Sequence, residues 1–154
     1  ITSAYTAVKN PKTTKFIYRD RLWSGADMVG LGVSSFGHLG GIHYQNITNI
    51  DHYCDSVEVK KAPVRRALMT QEEERFIREL ILQWKLGRVD KKYFQKKFGI
   101  SVTERFSLII TKWKENGDLI EEGDYLVLIR DALLRVDSLL HQFFLPHHQD
   151  ARYV

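Results

Sequence analysis

The residues best placed to do chemistry in this 154-residue chain lie between Gly30 and Asn46. Gly30-Leu31-Gly32-Val33-Ser34-Ser35-Phe36-Gly37-His38 continues through Leu39-Gly40-Gly41 to His43-Tyr44-Gln45-Asn46, and five of the ten glycines fall between positions 30 and 41. Glycine admits positive φ and lets a ligand or another segment approach the backbone, at an entropic cost, so such a cluster predicts a turn system or a binding loop.

Three chemistries are open to these and neighbouring residues. The first is dinucleotide binding: Gly30-x-Gly32-x-x-Ser35 approaches G-x-G-x-x-G/A, with a hydroxyl at the third place. That chemistry needs a helix N-terminus directly after the loop to receive a pyrophosphate. Phe36-Gly37-His38-Leu39-Gly40-Gly41 is poor helix material, which argues against it. The second is metal or histidine chemistry at His38, His43, Asp51 and His52. Their spacing matches no zinc signature and the lone cysteine supplies no thiolate pair, so no metal site and no catalytic residue is predicted. These histidines read as polar loop or substrate-contact residues, and His147-His148 as a terminal tail. The third is nucleic-acid binding by Thr103, Arg105, Lys112 and Lys114, with Lys85, Arg88, Lys91, Lys92, Lys96 and Lys97 nearby. Glutamates 72, 73, 74, 104, 115, 121 and 122 interleave with them, so no clean basic face emerges. A DNA-binding or protein-interaction module is the second reading of this region.

Composition bounds the possibilities. A net charge of +4 permits an anionic partner without demanding one, and 44% hydrophobic with 27% charged residues is ordinary for a globular chain. No apolar run approaches the roughly 18 residues that span a bilayer. Cys54 is the sole cysteine, so the chain carries no internal disulfide and cannot alone hold a thiolate-ligated iron–sulfur cluster. Beside Tyr53 and Val57 it is expected to be small and buried, in a reducing cytoplasmic setting. The chain opens on Ile1, which predicts a portion of a longer protein.

Elements must position these residues. Asn10-Pro11 predicts a turn, Phe16-Ile17-Tyr18-Arg19 a short strand, and Met28–Val33 a strand entering the glycine loop. Residues 42–46 predict a second extended piece. Ile50, Tyr53, Cys54 and Val57 fall at helical spacing behind a Thr48 or Asn49 cap, and Lys60-Lys61-Ala62-Pro63 starts a linker reaching Leu68. Thr70-Gln-Glu-Glu73 reads as a capping box before Phe76, Ile77, Leu80, Ile81 and Trp84, with Gly87 as the stop. Asp90 caps a second helix closed by Gly99. Ser101-Val-Thr-Glu104 opens a third helix with Phe106, Ile109, Ile110 and Trp113. A hairpin over 119–128 and a last helix over about 131–144 follow, the latter apolar enough that it must dock. The Gly99-Ile100-Ser101 corner and the hairpin predict a winged-helix arrangement. The fold class expected is α+β, with a boundary near residues 60–69.

Tyr18-Arg-Asp…Trp23, Asp27-x-x-Gly30-Leu-Gly32-Val-Ser-Ser35-Phe36, Tyr44-Gln45-Asn46 and the following helical module together resemble one family. It is the oxygen-independent coproporphyrinogen III oxidase-like group of radical S-adenosylmethionine proteins, seen from its C-terminal end, and the resemblance covers about residues 15–145. It implies that residues 1–65 are the C-terminal remnant of an α/β catalytic barrel (strand, glycine loop, helix) and residues 66–154 a winged-helix-like domain closing over it. Gly30, Gly32, Ser35 and Phe36 match the loop bordering the S-adenosylmethionine and substrate pocket, with Ser35 where alanine is usual. The family's Cys-x3-Cys-x2-Cys motif is absent. The 4Fe–4S ligands and most of the S-adenosylmethionine site would therefore lie on the N-terminal catalytic portion, this chain's implied partner. In the parent, a reduced cluster would cleave S-adenosylmethionine to a radical that takes hydrogen from a tetrapyrrole side chain. The protein would position and shield, and this chain alone would not catalyse. Tyr18, Arg19, His38 and His43 are the implied substrate contacts, with Arg21 as a further carboxylate partner.

Overall fold

A computed structural model describes residues 1–10 and 12–146. Pro11 of the predicted turn and the His147-His148 tail lie outside the described residues. In chain order the elements are α1 (Ile17–Trp23), β1 (Phe36–Leu39), β2 (Ile42–Asn46), α2 (Ile50–Glu58), β3 (Val64–Met69), α3 (Glu72–Lys85), β4 (Arg88–Asp90) and α4 (Lys91–Phe98). Then come α5 (Val102–Arg105), α6 (Ser107–Glu115), β5 (Leu119–Glu122), β6 (Tyr125–Leu128), α7 (Arg130–Leu134), α8 (Val136–Leu140) and a 3₁₀ turn at His141–Phe143. The mixture of helices and open antiparallel sheets is α+β. No described helix is long and apolar enough to cross a membrane.

Two compact units divide these elements: Ala26–Arg75, and Ile1–Gly25 together with the chain from Phe76 onward. Residues 1–25 join the second unit through specific bonds. Ala4 N–H donates to the Lys85 carbonyl (2.9 Å), and Tyr5 hydroxyl reaches both carboxylate oxygens of Asp137 at 2.7 Å. The expected strand at Phe16–Arg19 is instead the start of α1. Arg19 lies over the rings of Phe16 and Trp23, at 4.8 and 5.7 Å, and those i−3 and i+4 neighbours share a face only in a helix.

Every buried hydrophobic side chain among the described residues lies at or beyond Phe76. Phe76, Leu80 and Trp84 of α3 have no exposed surface, and Phe76 meets Phe94 edge-on at 5.3 Å. Trp84 contacts Trp113 at 5.3 Å, and Phe143 closes against Trp113 at 5.2 Å. The cap of α3 is one residue later than expected: Glu74 Oε2 accepts from Gln71 N–H, while Thr70 hydroxyl donates to the Gly41 carbonyl. Asp90 accepts from Tyr93 N–H at the head of α4, and Gly99 ends it at φ +67°. Ser101 caps α5 by accepting from Glu104 N–H.

The third and last helices are each broken rather than continuous. Phe106 (φ −115°) separates α5 from α6, and Arg135 (φ −114°) separates α7 from α8. Each break turns a bulky side chain inward: Phe106 packs edge-on to Phe143 at 4.9 Å, and Val136 directly after Arg135 is buried. The apolar face of the terminal helices docks on this unit's own core, with Leu133, Val136, Leu139, Leu140 and Phe143 all buried. The hairpin β5–β6 forms as expected and recruits β4, giving the antiparallel order β4-β6-β5.

The Ala26–Arg75 unit is a three-stranded antiparallel sheet in the order β1-β2-β3, with α2 after β2. The expected strand over Met28–Val33 reduces to Met28, which exchanges two backbone bonds with His38 (2.7 and 2.8 Å). Gly32 at φ +93° and Ser34 at φ +61° then bend the chain away from extension. The expected linker over 60–68 contains β3, so the predicted boundary at 60–69 falls on a strand paired to β2 from Asn46–Val64 to Ile42–Met69. Pairing to a distant strand outweighed the local Lys-Lys-Ala-Pro signal. Cys54 is exposed on α2, not buried, because no described part of this unit covers that helix face with a core. No hydrophobic side chain in the unit is buried: Leu31 is 82% exposed, Met69 78%, Leu68 57% and Phe36 47%.

Candidate functional site

The glycine loop is built from its own polar groups. Gly30 N–H donates to Tyr44 hydroxyl (3.0 Å), and Gly32 N–H to Tyr53 hydroxyl (3.0 Å). Asn46, 3% exposed, places its amide between two loop carbonyls, donating to Gly30 O at 3.0 Å and Gly32 O at 2.9 Å. Ser34 N–H donates to Ile47 O and Asn46 N–H to Ser35 O, both at 2.9 Å, so β2 continues past its last residue to hold the loop's far end. Ser35 hydroxyl turns inward onto Leu31 O (2.6 Å).

Two glycines have reasons internal to the fold. A Cβ on Gly30 would stand 2.1 Å from the Phe36 carbonyl oxygen, inside any tolerable contact. Gly32 at φ +93° occupies backbone space that L side chains rarely enter, although little crowds it. The amides of Gly30, Gly32, Ser34 and Ser35 are all engaged within the loop and its straps, so no nest of free N–H groups awaits a phosphate. The chain after the loop is β1, as the argument against a dinucleotide site requires. What the loop presents outward is apolar: Val29, Leu31 and Val33 are 58%, 82% and 37% exposed.

Beside the loop, the sheet gathers further expected residues on one face. Direct cross-strand partners point to the same side, and the register pairs Phe36 with Gln45 and His38 with His43. Phe36 and His43 stack with centroids 5.8 Å apart and planes 15° from parallel, and His38 lies 6.2 Å from His43. Gln45 and Leu68 extend this face, with Arg66 Nε donating to Gln45 Oε1 at 2.9 Å. Gly30, Gly32, Ser35, Phe36, His38 and His43 thus share one unit.

Tyr18 and Arg19 belong to the other unit, on α1, and diverge there. Tyr18 is 70% exposed. Arg19 is engaged on all sides: Nε and Nη2 donate to Asp20 (2.9 and 2.6 Å), and Nη1 donates to Ser3 (3.0 Å) and Thr6 (2.8 Å). It binds the N-terminal segment to α1.

Sequence reasoning missed the residues that hold the loop. Tyr44 and Asn46 lie in a motif that gives them no role by itself, and alternation along β2 places them on one face, the face opposite His43 and Gln45. Tyr53 read only as an apolar helix position, since nothing local marks a hydroxyl that serves an amide 21 residues earlier.

No group of three or more His, Cys, Asp or Glu among the described residues could hold a metal ion. Cys54 is single and exposed, so the donor set for an iron–sulfur cluster is not on this chain. Several cations of the later unit are already engaged among the described residues. Lys91 and Lys114 both pair with Glu121, Lys92 with Asp124, Lys97 with Glu79 and Arg135 with Asp118. Arg105 lies over the rings of Phe76 and Phe106.

No family model matches the chain. Two curated proteins do, both oxygen-independent coproporphyrinogen III oxidases. The Helicobacter pylori protein is 26% identical over 87 residues, which is 56% of this chain and 19% of that protein. The Pseudomonas aeruginosa protein is 31% identical over 85 residues, 53% of this chain and 18% of that protein. The alignments thus span about a fifth of the length of these relatives. Among solved structures, coproporphyrinogen III oxidase (HemN) from Escherichia coli, a radical SAM enzyme, superposes with a TM-score of 0.60 at 16% identity, over 77% of this chain and 28% of that one. The chain resembles the C-terminal part of an oxygen-independent coproporphyrinogen III oxidase-like radical S-adenosylmethionine protein.

Proposed function

We propose that this chain is the C-terminal portion of a radical S-adenosylmethionine enzyme acting on a tetrapyrrole-like substrate, and that its glycine loop forms part of the rim of the cofactor and substrate pocket. In this reading the Ala26–Arg75 sheet is the end of a catalytic barrel whose other strands lie on the N-terminal portion of the protein. The unit from Phe76 onward is a winged-helix-like domain: α3, α4 and α5–α6 with the β5–β6 hairpin and β4. It closes over the pocket.

One observation carries the barrel reading. A rigidly strapped loop sits on a three-stranded sheet none of whose hydrophobic side chains is buried, although Phe36, Leu39, Ile42, Leu68 and Met69 all lie on its strands. These side chains divide between the two faces of the sheet; sheets are stable when such faces are covered, and burying each side chain is worth about 1.5–3 kcal/mol. The similarity to the oxidases named above supports the same placement.

S-adenosylmethionine and a reduced cluster supply hydrogen-abstracting radical chemistry when bound in such enzymes. The residues here fit a limited part in that. The engaged loop amides and the inward Ser35 hydroxyl offer no anion cradle. Leu31, Val33 and Phe36 offer an apolar wall that orients a ligand by shape and excludes water from it. His43, stacked on Phe36, is the side chain best placed to present a hydrogen bond to a substrate carboxylate at that wall, with buried His38 behind it.

The test is direct. The full-length gene product, purified without oxygen, is expected to show the broad visible absorption of a 4Fe–4S cluster that bleaches on reduction. It should also cleave S-adenosylmethionine reductively. A colourless protein that reconstitutes no cluster with iron and sulfide would overturn the assignment.

A further inference from the structure

The unit formed by Ile1–Gly25 and the chain from Phe76 onward holds an open cleft of about 710 Å³ that the proposed pocket rim does not use. This volume lies within the range of small-molecule sites, roughly 300–1,000 Å³. Three cations line it, Lys15, Arg19 and Arg88, against two carboxylates, Asp20 and Asp90. Each carboxylate has one oxygen engaged. Asp20 receives Arg19 Nε and Nη2, and Asp90 Oδ1 caps α4 by accepting from Tyr93 N–H at 3.1 Å. Lys15 and Arg88 have no carboxylate partner among the described residues, and the Arg88 guanidinium is steadied over the Tyr125 ring at 5.2 Å.

Gln83 supplies the second observation. It lines the cleft and is 5% exposed. Its Oε1 accepts from Asp90 N–H at 2.9 Å, which fixes the orientation of the amide and leaves the NH₂ group on the other side. That NH₂ has no hydrogen-bond partner among the described residues. It is not among the enclosed polar atoms that lack a partner, so it opens to the cleft, where an acceptor on a ligand can reach it. This NH₂ and the Lys15 and Arg88 cations are therefore free to take an acceptor in the cleft.

We infer that this cleft binds a small organic ligand through a carboxylate or phosphate group, whose oxygens accept from the Gln83 amide and the Arg88 guanidinium while Lys15 adds charge. A bond from the charged guanidinium to an oxyanion is about twice as strong as a neutral one.

The chain, titrated at low salt with inorganic pyrophosphate and separately with isophthalate, is followed by the side-chain ¹⁵N–¹H resonances of Gln83 and Arg88. Saturable shifts are expected for at least one probe, with Kd on the order of 1 mM or tighter. Response to pyrophosphate alone identifies a phosphate ligand, and to isophthalate alone a carboxylate. Gln83→Glu keeps the acceptor for Asp90 N–H but replaces the NH₂ donor with oxygen. It should weaken binding by about tenfold or more at an unchanged circular dichroism spectrum. Arg88→Gln, at an exposed position, should do the same and decides the matter if Gln83→Glu does not fold. Linear shifts with both probes, or equal affinity in wild type and Arg88→Gln, would overturn the inference.

Discussion

Replacing Asn46 tests how the glycine loop is held. Its amide donates to the carbonyls of Gly30 and Gly32 at 3.0 and 2.9 Å from a position only 3% exposed. Two neutral hydrogen bonds contribute about 1 kcal/mol each. Both glycines are half-buried, so water can reach the released carbonyls and the added penalty is small. Asn46→Ala should therefore lower the free energy of opening the loop by about 2–3 kcal/mol. Asn46→Asp should cost more, because it turns a carboxylate oxygen toward two carbonyl oxygens in a site with little solvent. The assay is amide hydrogen exchange at Gly30, Gly32 and Ser34, whose N–H groups are bonded to Tyr44, Tyr53 and Ile47. A loss of about 2 kcal/mol speeds exchange about thirtyfold if the loop opens locally. Amides of α3 should be unchanged, since their core lies entirely at or beyond Phe76. If Asn46→Ala changes loop exchange by less than about threefold, the two bonds do not hold the loop and the strapping argument fails.

Three further outcomes concern the later unit. Glu121 on β5 takes both Lys114 and Lys91, and these hydrogen bonds hold its carboxyl at about 2, well below 4.5. A depressed carboxylate contributes stability that is complete above its unfolded value and lost as pH falls from 4.5 through 2. Solvent screening at a side chain 38% exposed limits the effect to about 1 kcal/mol, and Glu121→Gln should flatten the thermal midpoint across that window. At the opposite limb, burial and the Glu79 bond raise Tyr93 above 10.0, while Lys97 rises above 10.5 because bonds to Glu79 and Tyr93 outweigh its burial. Raised groups contribute fully below their unfolded values, so this part of the stability should fade only as pH climbs above about 10. Lys97→Met, which leaves the 5%-exposed Glu79 carboxylate with only the Tyr93 hydroxyl, should cost about 2 kcal/mol by denaturant unfolding; Glu79→Gln should cost less.

Local signals sufficed where the structure is local. Asp90, Gly99, Ser101 and Asn49 stand at the helix ends that their chemistry marks, and Asn49 accepts from His52 N–H at 3.0 Å. Of the stripe Phe76, Ile77, Leu80, Ile81 and Trp84, all but the half-buried Ile81 are buried as its spacing requires. Where a partner lies far along the chain, the local pattern misled. Phe16–Arg19 has β-prone residues, yet Arg19 binds Asp20, Ser3 and Thr6 from a helix. Residues 60–68 begin with linker chemistry, yet Val64 onward pairs with β2. The neighbours of Cys54 predict a core residue, yet it is exposed, because a helix face is buried only if something covers it.

The sequence by itself determined that Gly30–Gly41 is a loop system, that it leads into no helix, and that a capped helical module follows; the ordered motifs also pointed to the coproporphyrinogen oxidase-like proteins. Only the tertiary structure decided what the glycines are for. Gly30 makes room for the Phe36 carbonyl, Gly32 supplies a positive φ, and the loop amides are consumed by Tyr44 and Tyr53. Backbone dihedral preference is a property of each residue and can be read along the chain. The partner of a hydrogen bond is set by which segments the fold brings together, and no single stretch of sequence contains that.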